Sequence, residues 1–102
     1  MAKVIAEISF IPIGAGLSLS SYIAKVLKAI EESCLKYEFH SMGTNVEGDW
    51  EEIIKLLEKC HKILFDMGVP RISTSVKFSL RQDKDPSMES KKEHVKEILK
   101  NL

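Results

Sequence analysis

The chain has 102 residues, enough for one domain and not for two. Apolar residues make up 44% and charged residues 29%, as in ordinary globular proteins, and 15 basic residues balance 15 acidic ones. That balance argues against binding to nucleic-acid backbones or anionic membranes. No apolar run approaches the length of a membrane span, and Glu7 interrupts the opening stretch before it could serve as a secretory signal. A cytoplasmic protein with reduced thiols is the expectation.

Residues 3–11 alternate as a strand, with Val4, Ala6, Ile8 and Phe10 on one face and Ile5, Glu7, Ser9 and Ile11 on the other. Pro12-Ile13-Gly14-Ala15-Gly16 is expected to break it. Ser18 and Ser20 are candidate N-caps for an amphipathic helix reaching Cys34, whose stripe is Ile23, Val26, Leu27, Ile30 and Cys34. A second strand follows over residues 37–42. Gly43 to Gly48 reads as a turn plus a short third strand.

Asp49 and Glu52 fit a capping box opening the second helix. Its stripe is Ile53, Leu56, Leu57, Cys60, Ile63, Leu64 and Met67, and Gly68 and Pro70 end it. Residues 70–82 form the longest strand, with Ile72, Thr74, Val76, Phe78 and Leu80 facing one way and Arg71, Ser73, Ser75, Lys77, Ser79 and Arg81 the other. After a polar turn, a helix from Ser87 to Asn101 is expected to bury Val95, Ile98, Leu99 and Leu102. The order gives a single α+β domain over residues 1–102: a ferredoxin-like βαββαβ antiparallel sheet with an added C-terminal helix.

Both long helices then lie on one face of the sheet. The other face carries Ile5, Glu7, Ser9, Ile11, Ser73, Ser75, Lys77 and Ser79, too apolar for a plain solvent face and too polar for a core. Unless the last helix folds over it, it suits the seam of an oligomer, the floor of a ligand pocket, or both, against the alternative of a solvated sheet face whose serines and charges meet water.

Chemistry-bearing motifs are sparse. Gly14-Ala15-Gly16 lacks the third glycine of a dinucleotide loop and the Gly-Lys-Ser/Thr of a phosphate loop. The serines that follow suit either plain capping or a polar ligand. The segment from Met42 to Gly48 fits a loop and a binding stretch equally well. His40, His61 and His94 show no metal-ligand spacing, and no serine, histidine and acid are spaced as a nucleophile and base. Neither a catalytic residue, a metal nor a cofactor is expected. His61 is expected on the helix surface, Cys34 and Cys60 as small buried hydrophobes, Trp50 as a packing anchor, and Met42 and Met67 in packing roles.

Several stretches together resemble the thiamine-binding protein family. They are Ile11-Pro12-Ile13-Gly14, the serines Ser18 and Ser20, Glu31-Glu32-Ser33, the run Met42-Gly43-Thr44-Asn45-Val46-Glu47-Gly48, and Gly68-Val69-Pro70-Arg71-Ile72. The Gly-Thr-Asn-Val-Glu-Gly stretch is the most specific part. The resemblance implies a ferredoxin-like fold, dimers that pair into tetramers, and non-catalytic binding of thiamine or a related hydroxymethylpyrimidine at or near a subunit interface. Carried onto this chain, it implicates Ser9, Ser18, Ser20, Thr44, Asn45 and Glu47, with Arg71 for a phosphorylated ligand. Glu47 suits an exocyclic amine or a cationic ring, and Phe39, Tyr37 or Met42 could line ring faces. The rival expectation is an oligomeric regulatory module without such a ligand.

Overall fold

A computed structural model describes residues 3–16 and 19–102. Seven elements follow one another: β1 (Lys3–Ile13), α1 (Ser20–Glu32), β2 (Lys36–His40), β3 (Gly43–Asp49), α2 (Trp50–Asp66), β4 (Arg71–Ser79) and α3 (Met88–Lys100). The strands form one antiparallel sheet in the order β2-β3-β1-β4. Each long helix therefore bridges two strands separated by a third, which is the ferredoxin-like arrangement.

Alternation along the strands decides what lies beneath the helices. Val4, Ala6, Ile8 and Phe10 of β1 and Val46 of β3 are buried against Val26, Ala29 and Ile30 of α1 and Ile53, Leu56, Cys60 and Leu64 of α2. Trp50 packs on Phe78 with ring centroids 4.9 Å apart, so it anchors α2 to β4 as expected. The amide of Asp49 donates to Glu52 Oε1 at 3.3 Å, and Gly68 takes the left-handed conformation that stops α2 (φ +90°). Burial lifts the Cys60 thiol to about 11.

Several local expectations need correction. Pro12 does not end β1, which continues to Ile13. Beyond Ile8 the strand pairs with β4 alone, so a residue without an N–H costs no bond on the unpaired side. Ser20 is the first helical residue of α1 rather than its cap. Leu19 occupies the cap position, and no side chain bonds there; Ser18 lies outside the described residues. Cys34 falls beyond α1 in a left-handed conformation (φ +62°) and is exposed. The expected third strand is present but takes up the whole stretch after Met42, and the turn lies earlier, at Ser41 and Met42. Seven residues of it form β3, paired on both sides. Gly43 is required there, because a Cβ would stand 2.7 Å from the Ile8 carbonyl oxygen. Met42 at that hairpin is 80% exposed instead of packed.

His61 is no surface histidine. Its Nδ1–H donates to the Leu57 carbonyl (2.7 Å), so Nε2 accepts from the Thr74 hydroxyl (2.6 Å), and Phe10 meets the ring edge-on at 5.1 Å. A histidine is thus fixed in one tautomer between α2 and β4.

The largest departure is α3. Ser87 caps it, accepting from the Ser90 amide, and Met88 is buried. Yet Val95, Ile98, Leu99 and Leu102 are 62%, 53%, 64% and 94% exposed. The radius of gyration is 15.4 Å, against ~13 Å for a compact chain of this length, as befits a projecting helix. No helix among the described residues is long and apolar enough to cross a membrane.

Candidate functional site

The face of the sheet away from α1 and α2 carries a polar lattice set by strand register. One row reads Lys36, Glu47, Ile5, Ser79 across β2, β3, β1 and β4, and the next reads Glu38, Asn45, Glu7, Lys77. Ser9 follows Glu7 on the same face, opposite Ser75. His40 reaches over this surface from β2. Its Nδ1 accepts the Met42 amide at 3.3 Å, so its Nε2–H donates to Asn45 Oδ1 at 3.2 Å, with Glu7 Oε2 3.7 Å away. Asn45 is thereby held with its amide nitrogen turned away from the histidine.

Glu47 is only half-buried, and one carboxylate oxygen, Oε1, accepts the backbone N–H of Met88 at 2.8 Å. The start of α3 thus lies over one end of the open face. Lys92 pairs with Glu38 at 2.9 Å, and Lys91 donates to the Ser79 hydroxyl at 3.3 Å. A groove of about 560 Å³ runs between the first turns of α3 and strands β2 and β3, edged by Glu38, Glu47, Met88 and Lys92.

On the opposite side of the sheet, a second cavity of about 250 Å³ opens under the β2–β3 hairpin, between α1 and β1. Its lining is mainly apolar: Ile8, Phe10, Val26, Ile30, Phe39 and Met42, with Thr44 among them. Thr44, 7% exposed, is the buried polar residue of the described core.

The seven residues singled out from sequence therefore divide. Ser9, Asn45 and Glu47 share the open face, and Ser9 also joins Thr44 in lining the cavity under the hairpin. Ser20 is exposed at the start of α1. Arg71, also exposed, pairs with Ile13 at the far end of β4. Ser18 is outside the described residues. Of the ring-lining candidates, Phe39 and Met42 border the cavity and Tyr37 borders the groove. Sequence reasoning missed Glu7 and His40 as site members. Period-two alternation already put Glu7 on this face, but only the register brings it opposite Asn45. Among the described residues, no group of three or more His, Cys, Asp or Glu could hold a metal ion.

Known proteins resemble this chain along nearly its whole length. A UPF0045 protein of Methanocaldococcus jannaschii is 38% identical over 98 residues, covering 96% of this chain and 97% of its own. A UPF0045 protein of Synechocystis is 37% identical over 99 residues, covering 97% and 82%. The crystal structure of the Methanocaldococcus jannaschii protein superposes with a TM-score of 0.85 at 38% identity, covering 95% of this chain and 99% of that one. A Thermotoga maritima protein described in connection with thiamine biosynthesis and salvage shares the fold (TM-score 0.77, 24% identity, 87% and 94% covered). The family model described as thiamine-binding protein matches residues 6–96, and with these relatives it places the chain in the thiamine-binding protein family.

Proposed function

We propose that this protein binds thiamine or a related hydroxymethylpyrimidine in the cytoplasm, without catalysing a reaction, on the open sheet face where a second copy closes the site in a dimer or tetramer. The observation that carries the reading is the run of acceptors on that face, Glu7, Asn45 and Glu47, in a chain of the thiamine-binding family. An aminopyrimidine offers an exocyclic amine, and a thiazolium offers positive charge. Carboxylates and an amide oxygen match both. Ser9 adds a hydroxyl beside Glu7. Thr44, in the hairpin cavity, would serve the ring if the ligand reaches through the hairpin end, and Ser18, Ser20 and Arg71 would serve a phosphorylated ligand.

Titration calorimetry with thiamine and with hydroxymethylpyrimidine tests this. Saturable heat is expected from the wild type, weakened about tenfold or more in Glu7→Gln and Asn45→Ala, as befits losing a hydrogen bond to a charged or fully engaged polar group. Absence of heat and of any thermal shift at millimolar ligand would sink the reading.

The exposed apolar residues of α3 favour a second reading, a self-associating regulatory module. It predicts that Val95→Lys disperses the oligomer while thiamine produces no heat with any variant.

A further inference from the structure

Glu47 joins two parts of the molecule 41 residues apart, because its Oε1 accepts the Met88 N–H at the first position of α3. Apart from the buried side chain of Met88 itself, the other ties of α3 to the sheet are ion pairs and hydrogen bonds of exposed side chains. Lys92 with Glu38 and Lys36 with Glu89 leave 38–80% of each side chain in water, and such pairs add little. A half-buried carboxylate on the positive end of a helix is a stronger tether. All of these ties fall within the first two turns of α3. From Val95 onward, no hydrogen bond or ion pair links it to the sheet among the described residues.

The first turns of α3 also wall the groove that Glu47 borders. A carboxylate offers about four acceptor sites on two oxygens, and Met88 uses one oxygen. A ligand N–H on Glu47 would share that carboxylate with α3 rather than evict the helix, and would touch α3 as the near wall. We propose that α3 is a hinged wall of the ligand site, pinned by Glu47, and that ligand binding and α3 docking reinforce each other. The proposal rests on the small-molecule reading above. Coupling of this kind is reciprocal: whatever loosens α3 weakens the ligand, and the ligand tightens α3.

Removing Glu47 would disturb pin and ligand contact together, so the test acts on the donor. Met88→Pro deletes the N–H at the one helical position where proline is accommodated, and Ser87 before it is already extended (φ −144°, ψ 131°). Met88→Ala keeps the N–H but loses the same buried side chain. Amide exchange across residues 90–100 is expected to be about tenfold faster in Met88→Pro than in Met88→Ala. The thiamine Kd should be several-fold weaker in Met88→Pro, and thiamine should slow exchange in the wild-type helix. Equal exchange in the two variants would overturn the pin. Equal Kd values, or wild-type exchange that thiamine leaves unchanged, would overturn the coupling. If the wild type binds no thiamine, the functional reading and the coupling fall, and the exchange comparison still decides the pin.

Discussion

Helices α2 and α3 are both amphipathic and both capped at their N-termini, yet they have opposite fates. In α2 the apolar stripe is sealed beneath the sheet, with Ile53, Cys60 and Leu64 wholly buried. In α3 the stripe of Val95, Ile98, Leu99 and Leu102 faces outward, and buried Met88 with polar groups in the first two turns holds the helix. Periodicity thus specifies that a stripe exists and says nothing about its cover. Topology supplies the cover. The connection from α2 to β4 is four residues, and β4 pairs along its whole length with the central strand β1, so α2 is held down between two strands of the sheet, whereas α3 follows the edge strand β4 and among the described residues no later strand pulls it back.

The contrast can be broken most forcefully by truncation. Leu64→Ala should cost about 3 kcal/mol in denaturant unfolding, since the emptied space lies between sheet and helix. Ile98→Ala should cost under about 0.5 kcal/mol in dilute protein. A large loss for Ile98→Ala that grows with protein concentration would show that another copy covers α3.

The cysteines sharpen the same comparison chemically. Burial raises the Cys60 thiol from 9.0 to about 11. The unfolded chain therefore loses this proton first, so the stability that buried Cys60 contributes is complete below pH 9 and is lost as pH rises toward 11. Cys60→Ala, less stable at neutral pH, should show a shallower decline over that window. Thiol reagents should modify exposed Cys34 in the native protein and reach Cys60 only on unfolding.

The smallest effect is expected at the tethers of α3. Lys92→Ala removes an exposed pair with Glu38 and should change global stability by no more than about 0.5 kcal/mol. Faster amide exchange confined to α3, with an unmoved melt, is the expected signature. A change of several degrees in Tm would mean that α3 belongs to the cooperative core.

The fold was largely legible because the core elements announce themselves by period. The β1 and β4 alternations and the α2 stripe, with its Asp49–Glu52 box and its Gly68 stop, all appear in the structure, although β4 stops at Ser79 instead of running to residue 82 and β1, at 11 residues, is the longest strand. What escaped was whatever depends on neighbours distant in sequence. Pro12 stays in a strand because β3 has already ended beside it. Gly43 has to be glycine because the Ile8 carbonyl crowds it. His61 turns inward because Thr74 offers a hydroxyl 13 residues away. The candidate site was half legible for the same reason. Residues can be assigned to a face by counting, but the meeting of Glu7, His40 and Asn45 needs the register between strands.

The tight approach at Gly43 has a practical corollary for anyone redesigning the cavity beneath the hairpin. Its floor is β1, and the hairpin leaves no room there even for a methyl group. Its roof is α1, where half-buried Ile23 and Leu27 reach down from a helix that can be repacked one turn at a time. Changes in what fits inside should be sought by swapping those two roof residues, leaving the floor untouched.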